Sequence, residues 1–451
     1  MKIICTMKTE SLQTDSVTER VSVARISALA VPVTAVAQAA AHAAFQAVGQ
    51  TKAAAPIAVI WHRFGPYHLA RLAACATQFP VIGIEMSGAD LTYAWRTESG
   101  AVPFRRLTVF PGTDCTTLDN RVVSKQIQAV LDQLRPAAVA IPSWGAPYSL
   151  GALAWCLRTG TPAIVMVDSN LQDKPRNVLK EWLKRRIVSS FGAGLVCKTD
   201  YLAALGMPPE AIRIGYNVVD NHYFSAGAAA LRGTAAELRR ARNLPRPFLL
   251  VVARFIPKKN LATLLKGYNL FSRTAKGSEL DLVLLGDGPL RPALEQQVTQ
   301  LGLVGRVHFP GFAQYDALPA WYAMASALVL PSTVEQWGLV VNEAMAAGLP
   351  VLVSHHCGCA EVLVEEGRNG WCFDPAEPAA IARCLSNFAA LPDGGAAFGA
   401  RSRELIAAWT PLRFAHELAH AATIAAQRRH SPQWLNRLLL KFLIPRLKDR
   451  E

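Results

Sequence analysis

The sequence predicts an α/β protein of two Rossmann-like units in tandem, and three observations predict it. First, from Ile57 onward short apolar runs alternate with segments of helical period: "IAVIWHRF", "PYHLARLAACATQ", "VIGIEMS". Apolar runs spaced by helices are the pattern of a parallel sheet with both faces covered. Second, the alternation continues through "AAVAIPSW", "GALAWCLRTG", "PAIVMVDS" and "AGLVCKT", pauses in a polar Ala/Gly/Arg-rich interval around 226–246 ending "LPRP", and restarts with "FLLVVARF". Third, 451 residues, 51% of them hydrophobic, suffice for about two or three domains.

The first unit with its hinge is assigned to residues 57–244 and the second to 245–412. Residues 1–56 read as a weakly structured, Ala-rich extension. Its most apolar stretch, Ile26 to Val48, is interrupted by Pro32, Gln38, His42 and Gln46, and no basic-then-apolar layout precedes it. A spanning helix or signal peptide is therefore not expected. Nine cysteines, odd in number and scattered from Cys5 to Cys384, suit a reducing compartment, so the expected location is cytoplasmic.

Charge divides the chain. Residues 57–244 hold 21 Lys/Arg against 13 Asp/Glu and residues 413–451 hold 8 against 3, whereas 245–412 hold 13 against 14. The net +14 thus belongs mainly to the first unit and the tail. No helix-turn-helix, zinc or RNP-like pattern accompanies it, and nucleic acid is not an expected partner.

The stretch "ALVLPSTVEQWGLVVNEAMAAGLPVLVS" carries the most chemistry. "ALVLP" reads as a buried strand, "STVEQW" as the loop at its carboxyl end, and "GLVVNEAMAAG" as a helix closed by Gly348. Ligands of open α/β sheets bind at that edge. The backbone amides around Gly338, Leu339 and Val340 would therefore face the crevice with the positive end of the helix dipole behind them, a seat for a diphosphate. Gly338 would let an oxygen approach where a β-carbon would obstruct it. Glu335 in the loop and Glu343 in the second helical turn would face one ligand from different heights, each accepting from vicinal sugar hydroxyls. Upstream, "VVARFIPKKN" places Arg254 and Lys259 at another strand's carboxyl edge, where two cations neutralise a departing diphosphate without a metal.

In these segments the sequence resembles the retaining glycosyltransferases of the GT-B fold, family 4 (glycosyltransferase group 1 type). "PSTVEQWGLVVNEAMAAGLPV" resembles the family's E-x7-E signature, "VVARFIPKKN" its strand-Arg-x4-Lys segment, "LLGDGPLRPALE" the turn and helix that follow, and "CGCAEVLVEEGRNGWCFDP" its closing strand and loop. The resemblance implies two Rossmann-like domains facing across a cleft, with 413–451 forming helices that return to the first domain. It implies a metal-independent hexosyl transfer from a nucleotide-sugar donor that keeps the α configuration. Glu343 would hold the ribose, Glu335 the transferred sugar, and Arg254 with Lys259 the diphosphate. Gly311 and Phe312 of "FPGF" would meet the base. The first domain departs from the pattern: "WHRFGPYH" offers one glycine, Gly65, as a donor contact, and His62 and His68 are candidates for the acceptor cleft. Gln336 stands where the family commonly has a small residue. The acceptor, a glycan, a lipid-linked molecule or a small molecule, is not named by these motifs.

Three signals are discounted. "HHCGC", His355 to Cys359, lacks a second matching pair at zinc-site spacing. "GDG" at Gly286 to Gly288 reads as a strand-ending turn, and Trp155 as core. The runner-up functions are a nucleotide-sugar epimerase or other GT-B enzyme, and a non-catalytic donor-binding module. Finally, "KPRNVLKEWLKRR", Lys174 to Arg186, and the tail "SPQWLNRLLLKFLIPRLKDR" set Trp182, Trp434, Leu435, Leu438, Leu439, Phe442 and Leu443 among Lys180, Lys184, Arg185, Arg186, Arg437 and Lys441. That composition suits a peripheral site on an anionic membrane surface at the inner leaflet, as well as a tail that covers the first domain.

Overall fold

The computed structural model describes residues 55–88, 100–171, 176–428 and 434–447. The Ala-rich extension through residue 54 and Lys174 lie outside the described residues. Strands β1 (Ile57–Trp61), β2 (Val81–Ser87), β3 (Arg105–Phe110), β4 (Ala138–Pro142), β5 (Ala163–Val167), β6 (Ala193–Val196) and β7 (Ile212–Ile214) make one sheet in the order 3-2-1-4-5-6-7. Strands β8 (Phe248–Val252), β9 (Asp281–Leu285), β10 (Val307–Gly311), β11 (Ala327–Leu330), β12 (Val351–Ser354) and β13 (Gly370–Phe373) make a second, in the order 10-9-8-11-12-13. The ladders pair parallel throughout, for example Ile60 with Ile84 and Leu250 with Val283. The α/β class read from the alternation is the class of the structure, because strands buried on both faces must be apolar at nearly every position: β5, β9 and β11 are buried end to end.

In each sheet the strand order reverses beside the first strand, between β1 and β4 and between β8 and β11. Loops diverge there and leave a crevice at the carboxyl edge. The helices that matter for the crevice are α1 (Pro66–Ala76), α2 (Val178–Val188), α3 (Asn221–Arg232), α4 (Leu318–Met324), α5 (Leu339–Ala346), α6 (Pro411–Gln427) and α7 (Trp434–Leu443). Local signals start several of them. Asn177 caps α2 by accepting from the Lys180 amide at 3.1 Å, and Asp220 caps α3 by accepting from that of Tyr223 at 2.9 Å. α6 packs against α1, β6 and β7, and α7 against the helix Pro147–Thr159 of the first sheet.

The linker between the sheets is held by a buried cation. Arg71 of α1 donates from Nη2 to the Val218 carbonyl at 3.0 Å and from Nε at 3.3 Å, while its guanidinium lies over the rings of Tyr216 and Phe414. Trp61, ending β1, donates to the Tyr216 hydroxyl at 3.0 Å. One side chain thus joins the first helix, the linker and α6. Replacing it by Arg71→Met keeps the apolar stem but leaves the carbonyl unpaired; urea denaturation should show about 1.5–3 kcal/mol lost.

Candidate active site

The loops ending β8 and β11 are tied to each other. Asn260, at φ 55° after the short turn Pro257–Lys259, donates its side-chain amide to the carbonyls of Pro331 at 3.2 Å and Pro375 at 2.7 Å. The Thr333 amide donates to the Lys258 carbonyl at 2.9 Å. These bonds carry the Lys259 ammonium onto the Glu335 carboxylate, an ion pair that is largely shielded from water on both sides, and the Ser332 hydroxyl donates to the same oxygen of Glu335 at 3.1 Å. Arg254 lies exposed at the end of β8, on the same edge.

A second brace comes from "HHCGC". The Gly358 amide donates to the Glu335 carbonyl at 2.9 Å, that of Cys359 to the Trp337 carbonyl at 3.2 Å, and the His356 Nδ1–H to the Thr333 carbonyl at 3.1 Å. A β-carbon on Gly358 would lie 1.9 Å from the Gln336 carbonyl oxygen, so this contact requires glycine. Burial pushes the Cys357 and Cys359 thiols up, which keeps them protonated. The segment positions the glutamate loop.

α5 starts at Gly338, whose φ of 106° lies in the left-handed region and whose β-carbon would meet Leu330 Cδ2 at 2.7 Å. The turn and the strand behind it therefore require the glycine, a reason independent of any approaching oxygen. The first amides of α5, Leu339 and Val340, precede the start of its intrahelical bonding. Trp337 Nε1–H donates to the Asn342 side-chain oxygen at 2.9 Å, and the Asn342 amide group donates to the Asn217 carbonyl of the linker at 3.3 Å.

Glu343 differs most from expectation. Its side chain is fully buried, and its two oxygens accept from Tyr67 of α1 and Tyr322 of α4, each at 2.5 Å. The sequence reading has both glutamates open to one ligand. Instead Glu335 is paired with Lys259, and Glu343 is enclosed by two phenols, one supplied by the other sheet's first helix. Burial raises the Glu343 carboxyl to about 7 against two hydrogen bonds that lower it, and pushes both tyrosines well above their usual range.

Around β1 the expected contacts are occupied by the protein itself. The Gly65 amide donates to His68 Nδ1 at 3.0 Å and the Phe64 amide to Glu85 at 3.1 Å, so neither faces a diphosphate. Gly65 has φ −114°, which any residue adopts. His68 is held to about 3 by burial and by Arg71, a neutral capping partner of α1. His62 sits with Nε2 3.4 Å from Asp114 and Nδ1 3.6 Å from Cys115 Sγ. These three are the one group among the described residues close enough to share a metal, but Asp114 already caps the turn Cys115–Thr117 through the Thr116 amide and hydroxyl at 2.9 and 2.8 Å. Gly311, at φ 90°, ends β10 and accepts from the Gly286 amide at 2.9 Å, and Phe312 beside it is exposed. A cavity of about 590 Å³ opens beside Val334, walled by Asn170 of the first sheet's unit and by Thr333, His355, His356 and Glu361. That volume is in the range of small-molecule sites.

Comparison with known proteins adds to this geometry. Residues 236–404 match the model of the family described as glycosyl transferases group 1. Over that stretch the chain is similar to the group 1 glycosyltransferases. The matched stretch takes in β8 to β13, both glutamates and both loop cations. Similar to it are an alpha-D-kanosaminyltransferase of Streptomyces kanamyceticus, 28% identical over 47% of this chain and 57% of the relative, and a GDP-mannose-dependent alpha-(1-6)-phosphatidylinositol monomannoside mannosyltransferase of Mycobacterium tuberculosis, 30% identical over 51% and 56%. The chain spans about half the length of the curated relatives it matches. A solved structure, Anabaena HepE in complex with UDP, superposes with a TM-score of 0.63 at 17% identity, covering 81% of this chain and 98% of that one, which identifies the fold as GT-B.

Tyr67 and Tyr322 were not reachable by sequence reasoning. Tyr67 lies 276 positions from Glu343, and no spacing rule joins them. Because the folded protein keeps the Glu343 proton to about pH 7 while the unfolded chain releases it near pH 4.5, stability should fall as pH rises through that window and level off above it. The loss should approach about 3 kcal/mol. Urea titrations at pH 5 and 8 should show this slope in the parent and a much smaller one in Glu343→Gln.

Proposed function

We propose that this protein is a retaining glycosyltransferase that moves a sugar from a nucleotide-sugar donor, without a metal, to a lipid-linked acceptor at an anionic membrane surface. The observation that carries the donor part is the Lys259–Glu335 ion pair, set beside Arg254 and the first turn of α5 at the carboxyl edge of the second sheet. In this reading the diphosphate sits on the Leu339 and Val340 amides with Arg254 and Lys259 against its oxygens. Lys259 also fixes Glu335, whose carboxylate accepts from the sugar hydroxyls, while Glu343 takes the ribose and Gly311 with Phe312 the base. The cations act most strongly as negative charge collects on the leaving diphosphate, and the acceptor attacks from the face that the diphosphate leaves. The UDP and GDP-mannose in the names of similar proteins support a nucleotide-sugar donor.

The acceptor part rests on a surface. Val178, Leu179 and Trp182 of α2 are 87, 74 and 56% exposed, and α7 exposes Trp434, Leu435, Leu438 and Phe442 while burying Asn436 and Leu440. The Asn436 amide group donates to Ser190 Oγ at 2.8 Å, which brings the start of α7 beside the end of α2. Exposed Lys180, Arg185, Arg437, Lys441 and Arg446 accompany these apolar groups. Lys184 does not join them, because it pairs with Glu181 at 2.7 Å and donates to Tyr201. No helix among the described residues is long and apolar enough to cross a membrane, so attachment would be peripheral. A relative named for a phosphatidylinositol monomannoside supports a lipid-linked acceptor.

Thermal shift with UDP-, GDP- and ADP-sugars should single out one donor class. Nucleotide release should be slow until acceptor is added and unaffected by EDTA; conversion of the donor alone would indicate an epimerase. Arg254→Ala and Lys259→Ala should each lower turnover about a hundredfold with a smaller loss of donor affinity. Co-sedimentation with vesicles should rise with anionic lipid, fall with salt, and weaken in a Trp182→Ser/Phe442→Ser variant, since each basic residue near such a surface adds about 1 kcal/mol. Recovery in the supernatant regardless of lipid charge would remove the membrane from the proposal.

A further inference from the structure

The contact between Tyr67 and Glu343 is a direct polar tie between the halves that carry the two sheets. Among the described residues, the halves are also tied by Asn170 to the Gln336 carbonyl at 3.4 Å, Gln336 to Ser169 at 3.5 Å, and Lys198 to a largely exposed Glu361 at 2.7 Å, while Arg232 and Asn221 of α3 reach the Ala347 and Ile406 carbonyls at 2.6 and 2.7 Å. A 2.5 Å hydrogen bond from a phenol to a buried carboxylate outranks two long neutral contacts and an exposed ion pair. Its ring is also seated. Tyr67 meets Tyr315 edge-on at 5.7 Å, Tyr315 stacks on Tyr223 of α3 at 4.8 Å, and the Tyr223 hydroxyl donates to the Tyr315 carbonyl at 3.3 Å.

The two phenols on Glu343 are not equivalent. Tyr322 is fully buried in the same half as Glu343, so it stays with the carboxylate however the halves move. Tyr67 arrives on α1 from the opposite half and holds the other oxygen. Resting on the reading of Glu343 as the ribose anchor, we propose that the Tyr67 hydroxyl stands in for a ribose hydroxyl in the unliganded protein. Donor entry exchanges one hydroxyl for another at the same carboxylate oxygen, and Tyr67 is the residue that sets donor affinity.

The exchange explains how a carboxylate closed to solvent serves a ligand. Without Tyr67, one Glu343 oxygen would lack its hydrogen bond; with it, the acid is satisfied in both states and the ligand must compete. A tie that keeps nine molecules in ten closed weakens apparent affinity about tenfold, and removing it restores that factor.

Calorimetry with UDP and with GDP on the full chain tests this in the parent, Tyr67→Phe, Tyr322→Phe and Glu343→Gln. Tyr67→Phe keeps the ring on its tyrosine platform and removes only the competing hydroxyl. It should bind the preferred nucleotide about 5- to 10-fold tighter, whereas Glu343→Gln and Tyr322→Phe bind it more weakly. Hydrogen exchange of amides 67–76 should be faster in unliganded Tyr67→Phe than in the parent, and nucleotide should speed it in the parent toward the variant's rate. Unchanged or weaker binding by Tyr67→Phe, with Glu343→Gln still impaired, overturns the exchange and leaves the ribose reading standing. Undiminished binding by Glu343→Gln, or no nucleotide bound by any form, overturns the ribose reading and the exchange together.

Discussion

A carboxylate sealed from water and held by two phenols, with no cation paired to it among the described residues, is the constraint around which the cleft is arranged. Burying an acid without a counter-ion is unfavourable, and an apolar residue of similar volume would pack there at lower cost. The protein meets the demand by drawing hydroxyls from two directions: Tyr322 from α4 behind the helix and Tyr67 from α1 across the cleft. The aromatic cluster of Tyr67, Tyr315, Tyr223, Phe224 and Tyr322 exists in the geometry this carboxylate requires.

The same helix that carries Glu343 is tied to the linker between the sheets. Asn342, one residue before it, bonds to Asn217, while Arg71, one helical turn after Tyr67, holds Val218. The linker is therefore gripped by the helix bearing the acid and by the helix bearing its phenol. The glutamate loop, by contrast, is braced mainly within the second half, by Asn260, Gly358, Cys359 and His356.

The placement of four candidate residues was legible in the sequence. Arg254, Lys259, Glu335 and Glu343 follow strand-ending loops whose apolar strands and glycine-closed helices are local signals, and the structure puts all four at or beside one sheet edge. Other candidate positions take partners that the sequence does not announce. Gly65 and His68 satisfy each other at the start of α1, His62 is engaged by Asp114 and Cys115, and the histidine- and cysteine-rich run, discounted as a metal site, braces a loop through its backbone. Which neighbour a polar atom finds is a matter of distance in space, and composition does not record it.

What the sequence determined by itself is whatever chain-local physics decides: the α/β class, the restart of the alternation near Phe248, the helix ends at Gly338 and Gly348, and the positive balance of the first half and tail. Each rests on periodicity, turn chemistry or charge within a few residues. The tertiary structure alone decided that Glu343 is enclosed by Tyr67, that Lys259 is spent on Glu335, and that α7 lies beside α2 with Trp434, Leu435, Leu438 and Phe442 outward. Those outcomes join residues up to 276 positions apart, and they depend on how the two sheets close on each other, a geometry that no local pattern encodes.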